Sequence, residues 1–235
     1  MNVLRKISIS AFFLCVGLYA DAQKVVVAKS SVYASGFSSI ASGKYARSLE
    51  SVDFKTQSWG GTFGYLTKPS KDIAFPVAVG GEFGFQGLGS GSVDNQTFVG
   101  NFRTINTAYW LNAVARYRPI YWSSKINPFV DLAVGPKIIS TGIFEQLSQE
   151  ESIRLDGKTS VTLNTTVGAG VGMKIPNNEG KTIYIDFGIY YQQTGSTRIV
   201  EQNSVTLFAN NEFDFREQVT PLNNTQIRVG VTWFR

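Results

Sequence analysis

Residues 225–235 read TQIRVGVTWFR. Ile227, Val229, Val231 and Trp233 fall on one side of an extended chain, with Gln226, Arg228, Gly230 and Thr232 on the other. A period of two with one apolar face marks a β-strand. Two architectures use such a strand. In a soluble antiparallel sheet the apolar face turns inward. In a transmembrane β-barrel it turns to lipid, with aromatic residues at the membrane interface. The chain upstream decides between them.

The same alternation recurs along the chain. Val161, Leu163, Thr165, Val167, Ala169, Val171 and Met173 oppose a face of Thr, Asn and Gly ending in Lys174. Ile183, Ile185, Phe187, Ile189 and Tyr191 oppose Tyr184, Asp186, Gly188 and Tyr190. Further back, Pro128, Val130, Leu132, Val134, Pro136 and Ile138 oppose Phe129, Asp131, Ala133, Gly135 and Lys137. Tyr109, Leu111, Ala113, Ala115 and Tyr117 oppose Trp110, Asn112, Val114, Arg116 and Arg118. Residues 73–86 alternate through Phe83 and Phe85, with Glu82 on the other face. In this strand Pro76 would cost a ladder bond. Trp59, Gly61, Phe63 and Tyr65 form another strand, extending upstream toward Asp53. Residues 24–37 are the least regular candidate.

The total is eight strands, and their connections alternate in length. Those after the second, fourth and sixth strands are short. Residues 38–51, 87–103, 144–159 and 195–224 read as long polar loops, the last with a local hairpin at 205–215. An even strand number with short turns on one side and long loops on the other fits an outer-membrane barrel, both termini lying on the short-turn side. A sandwich has no reason to sort loops by parity.

The N-terminus has the layout of an export signal: Arg5 and Lys6, an apolar stretch over 7–19, then Ala20, Asp21 and Ala22 with cleavage before Gln23. Residues 1–22 are therefore expected to be a signal peptide, and residues 23–235 a single barrel domain. Cys15, the only cysteine, lies inside that leader, so the mature chain has no thiol chemistry or disulfide. There are 23 glycines, 13% aromatic residues, 17% charged residues and no histidine. The lack of histidine excludes histidine-based catalytic triads and every histidine-ligated metal site. The net charge is +5 and the pI about 9.3, but no run of Lys and Arg supports nucleic-acid binding.

The non-apolar faces are rich in Gly, Thr and Asn. They carry isolated charges: Glu82, Arg116, Arg118, Asp131, Lys137, Lys174, Asp186 and Arg228. That suits a narrow lumen where opposite charges pair, since eight strands leave an interior that side chains fill. The expected fold is all-β, an eight-stranded antiparallel transmembrane barrel. A soluble lipocalin-like ligand-binding barrel is the alternative with the same strand number, its apolar face turned inward.

This pattern, and above all the terminal VGVTWF (Val229 to Phe234), resembles the small outer-membrane barrels of Gram-negative bacteria. These include the OmpA transmembrane domain, the OmpX group and Bacteroidetes-type outer-membrane β-barrel domains. Family members commonly end in an aromatic residue, whereas here Arg235 follows Phe234. The resemblance implies an outer-membrane location, contact with lipid and lipopolysaccharide, and recognition of the closing strand by the barrel-assembly machinery.

No catalytic residue, metal site or cofactor is expected. Asp131 and Asp186 could in principle share a site, but each is read as a lumen carboxylate paired with Arg116, Lys137, Lys174 or Arg228. Ile227, Val229, Val231 and Trp233 are expected to face lipid. Phe208, Phe213, Phe215 and Arg216 form the candidate loop surface for an extracellular protein, envelope or polysaccharide partner. A structural or surface-interaction role is the first reading. A narrow channel or transport accessory is the second.

Overall fold

The computed structural model describes residues 29–50, 57–69, 75–93, 101–119, 125–146, 152–176, 182–200, 206–207, 213–214 and 217–235. The export signal expected over 1–22 lies outside them. Eight strands close a barrel: β1 (Ser30–Ala41), β2 (Gln57–Thr67), β3 (Val77–Val93), β4 (Asn101–Tyr117), β5 (Ile126–Gln146), β6 (Ser152–Ile175), β7 (Thr182–Thr194) and, at the C-terminus, β12 (Asn224–Phe234). Every neighbouring pair is antiparallel. Closure runs from Ser31 opposite Phe234 to Ala41 opposite Asn224. Between β7 and β12 lie four short strands, β8 (Ser196–Val200), β9 (Thr206–Leu207), β10 (Phe213–Asp214) and β11 (Glu217–Pro221). They pair as two small ribbons, β8 with β11 and β9 with β10.

The barrel is inside-out relative to a soluble one. Phe63, Phe83, Leu111, Leu132, Leu163, Val167, Phe187, Ile189 and Ile227 are all exposed on the outer wall. The inner wall is mostly polar, with Gln86, Asn112, Asn164, Gln192, Gln226 and Thr232 buried. A soluble lipocalin-like barrel reverses this arrangement. Tyr65, Tyr117 and Trp233 stand exposed near the rim that holds the termini, and Trp59, Tyr109 and Tyr191 stand toward the other. From Tyr109 to Tyr117 the strand rises about 26 Å at about 3.3 Å per residue, enough for a tilted crossing of an apolar band about 25 Å tall.

The structure corrects several expected boundaries. β1 is shifted, running through Ala41 across residues expected to form a loop, and is followed by the helix α1 (Lys44–Glu50). Its outward residues Val32, Ala34, Gly36 and Ser38 are mostly small, so the apolar alternation was weak in the sequence. Residues 24–28 and Asp53 lie outside the described residues. Pro76 precedes β3, and its carbonyl accepts the Arg118 amide at 2.8 Å, so no ladder bond is lost there.

The supposed loops after β3 and β5 are largely strand. β3 and β4 remain paired out to Val93 opposite Phe102, passing a bulge at Gly87/Gly89 where Gly89 has φ 123°. β5 and β6 remain paired out to Gln146 opposite Ser152. Beyond the apolar band the outward face turns polar while inward residues such as Ile139 and Ile143 are buried, so the apolar-out alternation fades while backbone pairing continues. Pro136 does fall within β5. The β4–β5 ladder skips from Trp110 opposite Lys137 to Ala113 opposite Val134, as a residue without an amide hydrogen requires.

Candidate functional site

The inward faces of the eight strands build one continuous site, the filled lumen. At its centre Arg116, on β4, grips Asp131 on the adjacent strand with Nε–Oδ1 at 2.6 Å and Nη2–Oδ2 at 2.7 Å. Such a two-pronged contact is the strongest geometry for an arginine–carboxylate pair. Arg116 Nη1 also reaches Asp186 Oδ2 at 3.5 Å, and the Tyr190 hydroxyl donates to Asp131 at 2.8 Å. Asp186 additionally accepts from the Thr232 hydroxyl and lies 3.8 Å from Arg118 Nη2.

A second knot centres on Glu82. It accepts from Arg228 Nη1 at 2.8 Å, from the Tyr33 hydroxyl at 3.0 Å and from Trp110 Nε1 at 3.2 Å. Lys137 forms a third. Its ammonium donates to Gln192 Oε1 at 2.7 Å and Gln86 Oε1 at 3.3 Å. Gln86 in turn donates to Ser39 and Ser58, and Asn224 donates to Gln192. Lys137 has no carboxylate partner among the described residues and is 0% exposed.

Aromatic rings interleave these knots. Arg116 lies over Phe129 at 4.4 Å and Tyr33 at 4.7 Å, Arg228 over Tyr190 at 4.1 Å, and Lys137 over Trp110 at 5.2 Å. Arg118 sits nearest the termini, over Phe234 at 5.0 Å and Phe129 at 5.4 Å. A cation over a ring face gains roughly 0.5 to 2 kcal/mol, more where water is excluded. The inward glycines make room for these rings. A Cβ on Gly84 would fall 2.1 Å from the Trp110 ring, one on Gly64 2.3 Å from Tyr33 and one on Gly168 2.1 Å from Tyr190.

Among the described residues, aromatic and apolar side chains pack near both ends. Near the termini Tyr184 and Phe234 meet edge to face at 5.4 Å. At the opposite end Tyr45 of α1 buries itself with Ala41, Leu88, Ala108, Ile139 and Leu222. Burial pushes the Tyr45 hydroxyl well above the usual tyrosine range, so it stays neutral. A cavity of about 10 Å³, lined in part by Tyr33, Arg116, Asp186, Tyr190 and Arg228, has room for at most one water.

Of the eight charges singled out in the sequence, seven are buried together. The pairing is finer than expected: Arg228 takes Glu82, not Asp186, and Lys137 takes amides, not a carboxylate. Lys174 is half-buried on the lumen parity at the end of β6 and joins none of the buried ion pairs among the described residues. Asp131 and Asp186 share Arg116 and so form no free carboxylate pair. Ile227, Val229 and Trp233 are exposed on the outer wall, and Val231 is half-buried there. Phe213 pairs with Leu207, while Phe208, Phe215 and Arg216 lie outside the described residues.

Sequence reading missed the neutral partners Gln86, Gln192, Asn224 and Gln226, and the lumen roles of Tyr33, Trp110 and Tyr190. Part of the signal was present in glycines of the same face, since Gly64, Gly84 and Gly168 reserve space for Tyr33, Trp110 and Tyr190. Among the described residues no group of three or more Asp, Glu, Cys or His side chains could hold a metal.

No protein-family model and no curated protein sequence matches this chain. Solved structures do. Neisserial surface protein A is 11% identical over 90% of this chain and 99% of its own, with a TM-score of 0.43. Ail, the attachment invasion locus protein of Yersinia pestis, is 13% identical over 89% and 100%, with a TM-score of 0.44. A major outer membrane protein from Thermus thermophilus is 12% identical over 88% and 99%, with a TM-score of 0.48. The chain is an eight-stranded antiparallel barrel that resembles small outer-membrane β-barrel proteins.

Proposed function

We propose that this chain is a non-enzymatic outer-membrane barrel whose lumen is a closed plug of paired charges. Its role is structural or surface-interactive, exercised on the side away from the termini. The carrying observation is the filled interior inside an apolar outer wall: two arginine–carboxylate knots and an amide-held lysine occupy the space a pore would need. The paired extensions of β3–β4 and β5–β6 and the β8–β11 ribbon stand on the outward side and support the surface role. On this reading the chain belongs with OmpA-like and OmpX-like barrels, enters the membrane after loss of residues 1–22, and presents Val229 to Phe234 to the assembly machinery. The outer wall then meets lipid and lipopolysaccharide, and the loop carrying Phe208, Phe213, Phe215 and Arg216 meets an extracellular protein or polysaccharide.

Planar-bilayer recording of the refolded barrel tests the plug. No stepwise conductance is expected at moderate voltage; stable open-channel steps would replace this reading with the narrow-channel one. Migration on a gel before and after boiling tests the membrane barrel itself. A chain that is folded and monodisperse without detergent overturns it.

A further inference from the structure

Arg228 and Asp186 stand at opposite corners of a hollow in the inner wall. Between β12 and β7, Arg228 pairs with Gly188 and Gly230 pairs with Asp186. The two glycines hold the remaining corners, and the side chain that each lacks leaves the space. The hollow is the cavity of about 10 Å³, lined also by Arg116 and Ser35. Two polar atoms of its lining residues have no hydrogen-bond partner among the described residues: Asp186 Oδ1, an acceptor, and Arg228 Nη2, a donor. Both residues are buried, at 9% and 4% exposure. Their other polar atoms are engaged. Asp186 Oδ2 meets Thr232, Arg116 and Arg118, while Arg228 donates from Nη1 to Glu82 and from Nε to Gln226.

We infer that this cavity binds one ordered water, which accepts from Arg228 Nη2 and donates to Asp186 Oδ1. The inference rests on the filled-lumen reading. The space is that of a single water, and a buried water needs two or more polar partners of this kind. Leaving both groups unmet costs more than immobilising one water. Charge argues for a neutral occupant, since Arg116 and Arg228 line the cavity against a cation and Asp186 against an anion. The bridge joins the Glu82 knot, through Arg228, to the Asp131 knot, through Asp186 and Arg116. The plug then runs as one network from β3 across the lumen to β12, on to β7 and back to β4.

The test is a crystal structure of the refolded barrel in detergent, at a resolution that shows ordered water. One peak is expected, about 2.7 to 3.2 Å from both Asp186 Oδ1 and Arg228 Nη2. Two variants at Ser35, which lines the cavity, add a readout in solution. Each loses the hydroxyl contact to Thr62 Oγ1 at 2.7 Å. Ser35→Ala is expected to keep the water. Ser35→Val puts a methyl group into the cavity, expels the water and is expected to unfold at a lower urea concentration than Ser35→Ala. The wild-type and Ser35→Ala structures decide if Ser35→Val does not fold. A cavity without a peak, or Arg228 turned to touch Asp186 directly, within an otherwise paired lumen overturns the water site alone. So does a peak that takes up bromide when bromide replaces chloride in the buffer. Equal urea midpoints for the two variants overturn the bridging role. A file of peaks leading from the cavity to either mouth refutes the closed plug itself.

Discussion

Arg228 Nη1 on β12 lies 2.8 Å from Glu82 Oε2 on β3, across the lumen and 146 residues away in sequence. The pair ties the closing strand to a strand beyond the seam, because β1 and β2 stand between them in the barrel. Main-chain bonds between β1 and β12 close the wall, and this ion pair braces the closure from inside.

Glu82→Ala removes the acceptor shared by Arg228, Tyr33 and Trp110, leaving a buried guanidinium uncompensated. Breaking a buried pair in this way costs about 3 to 5 kcal/mol. The expected outcome is a lower urea midpoint for the folded gel band in lipid vesicles. An unchanged midpoint would show that the knot contributes nothing to stability.

Lys137 and Arg116 provide a contrast between two buried cations. Arg116→Met takes from Asp131 its one cationic partner among the described residues, while Asp186 keeps Arg118 and the Thr232 hydroxyl, and should cost about 3 to 5 kcal/mol. Lys137→Met strands no carboxylate and removes a charge that is costly to desolvate, so its net effect should stay within about 1 kcal/mol. Equilibrium unfolding of the two variants side by side checks the difference. Equal losses would mean that Lys137 is held by more than its amide neighbours and the Trp110 ring.

The strand faces were legible because lipid and lumen impose opposite demands on alternate residues; residues 161–174 and 183–191 face as their pattern says. Strand ends were not, because at Ser140 on β5 the outward face is no longer apolar while the inward neighbours Ile139 and Ile143 are buried apolar residues, so the pattern that marks the wall is lost. The partner of Arg228 was illegible for a different reason. Strand register across a closed barrel sets which carboxylate lies within reach, and no local pattern encodes that. Gln86 and Gln192 lie 106 positions apart in sequence on strands that are not neighbours, so only the closed barrel shows that both accept from the fully buried Lys137.

Gly84→Ala tests the coupling between glycines and rings. A Cβ there meets Trp110 at 2.1 Å, and that ring is held by its bond to Glu82 and buried at 2% exposure. Overpacking of this kind costs about 1 to 3 kcal/mol. Gly36 faces outward, and a Cβ at that position would have nothing within 4 Å, so Gly36→Ala should leave stability nearly unchanged. Similar losses at both positions would rule out ring accommodation as the reason for the inward glycines.

Val229 and Val219 separate contact with lipid from exposure alone. Val229 is 48% exposed at the middle of β12, while Val219 is 64% exposed on the β11 ribbon beyond the wall. In water an arginine at either position would be tolerated. With a bilayer around the barrel, Val229→Arg places a charge near the membrane midplane and costs about 2 to 4 kcal/mol. Val219→Arg, above the interface, stays within about 0.5 kcal/mol. Folding yields in vesicles should therefore fall for Val229→Arg and hold for Val219→Arg. If both variants fold as well as the wild type, the apolar outer wall is not the surface that meets lipid.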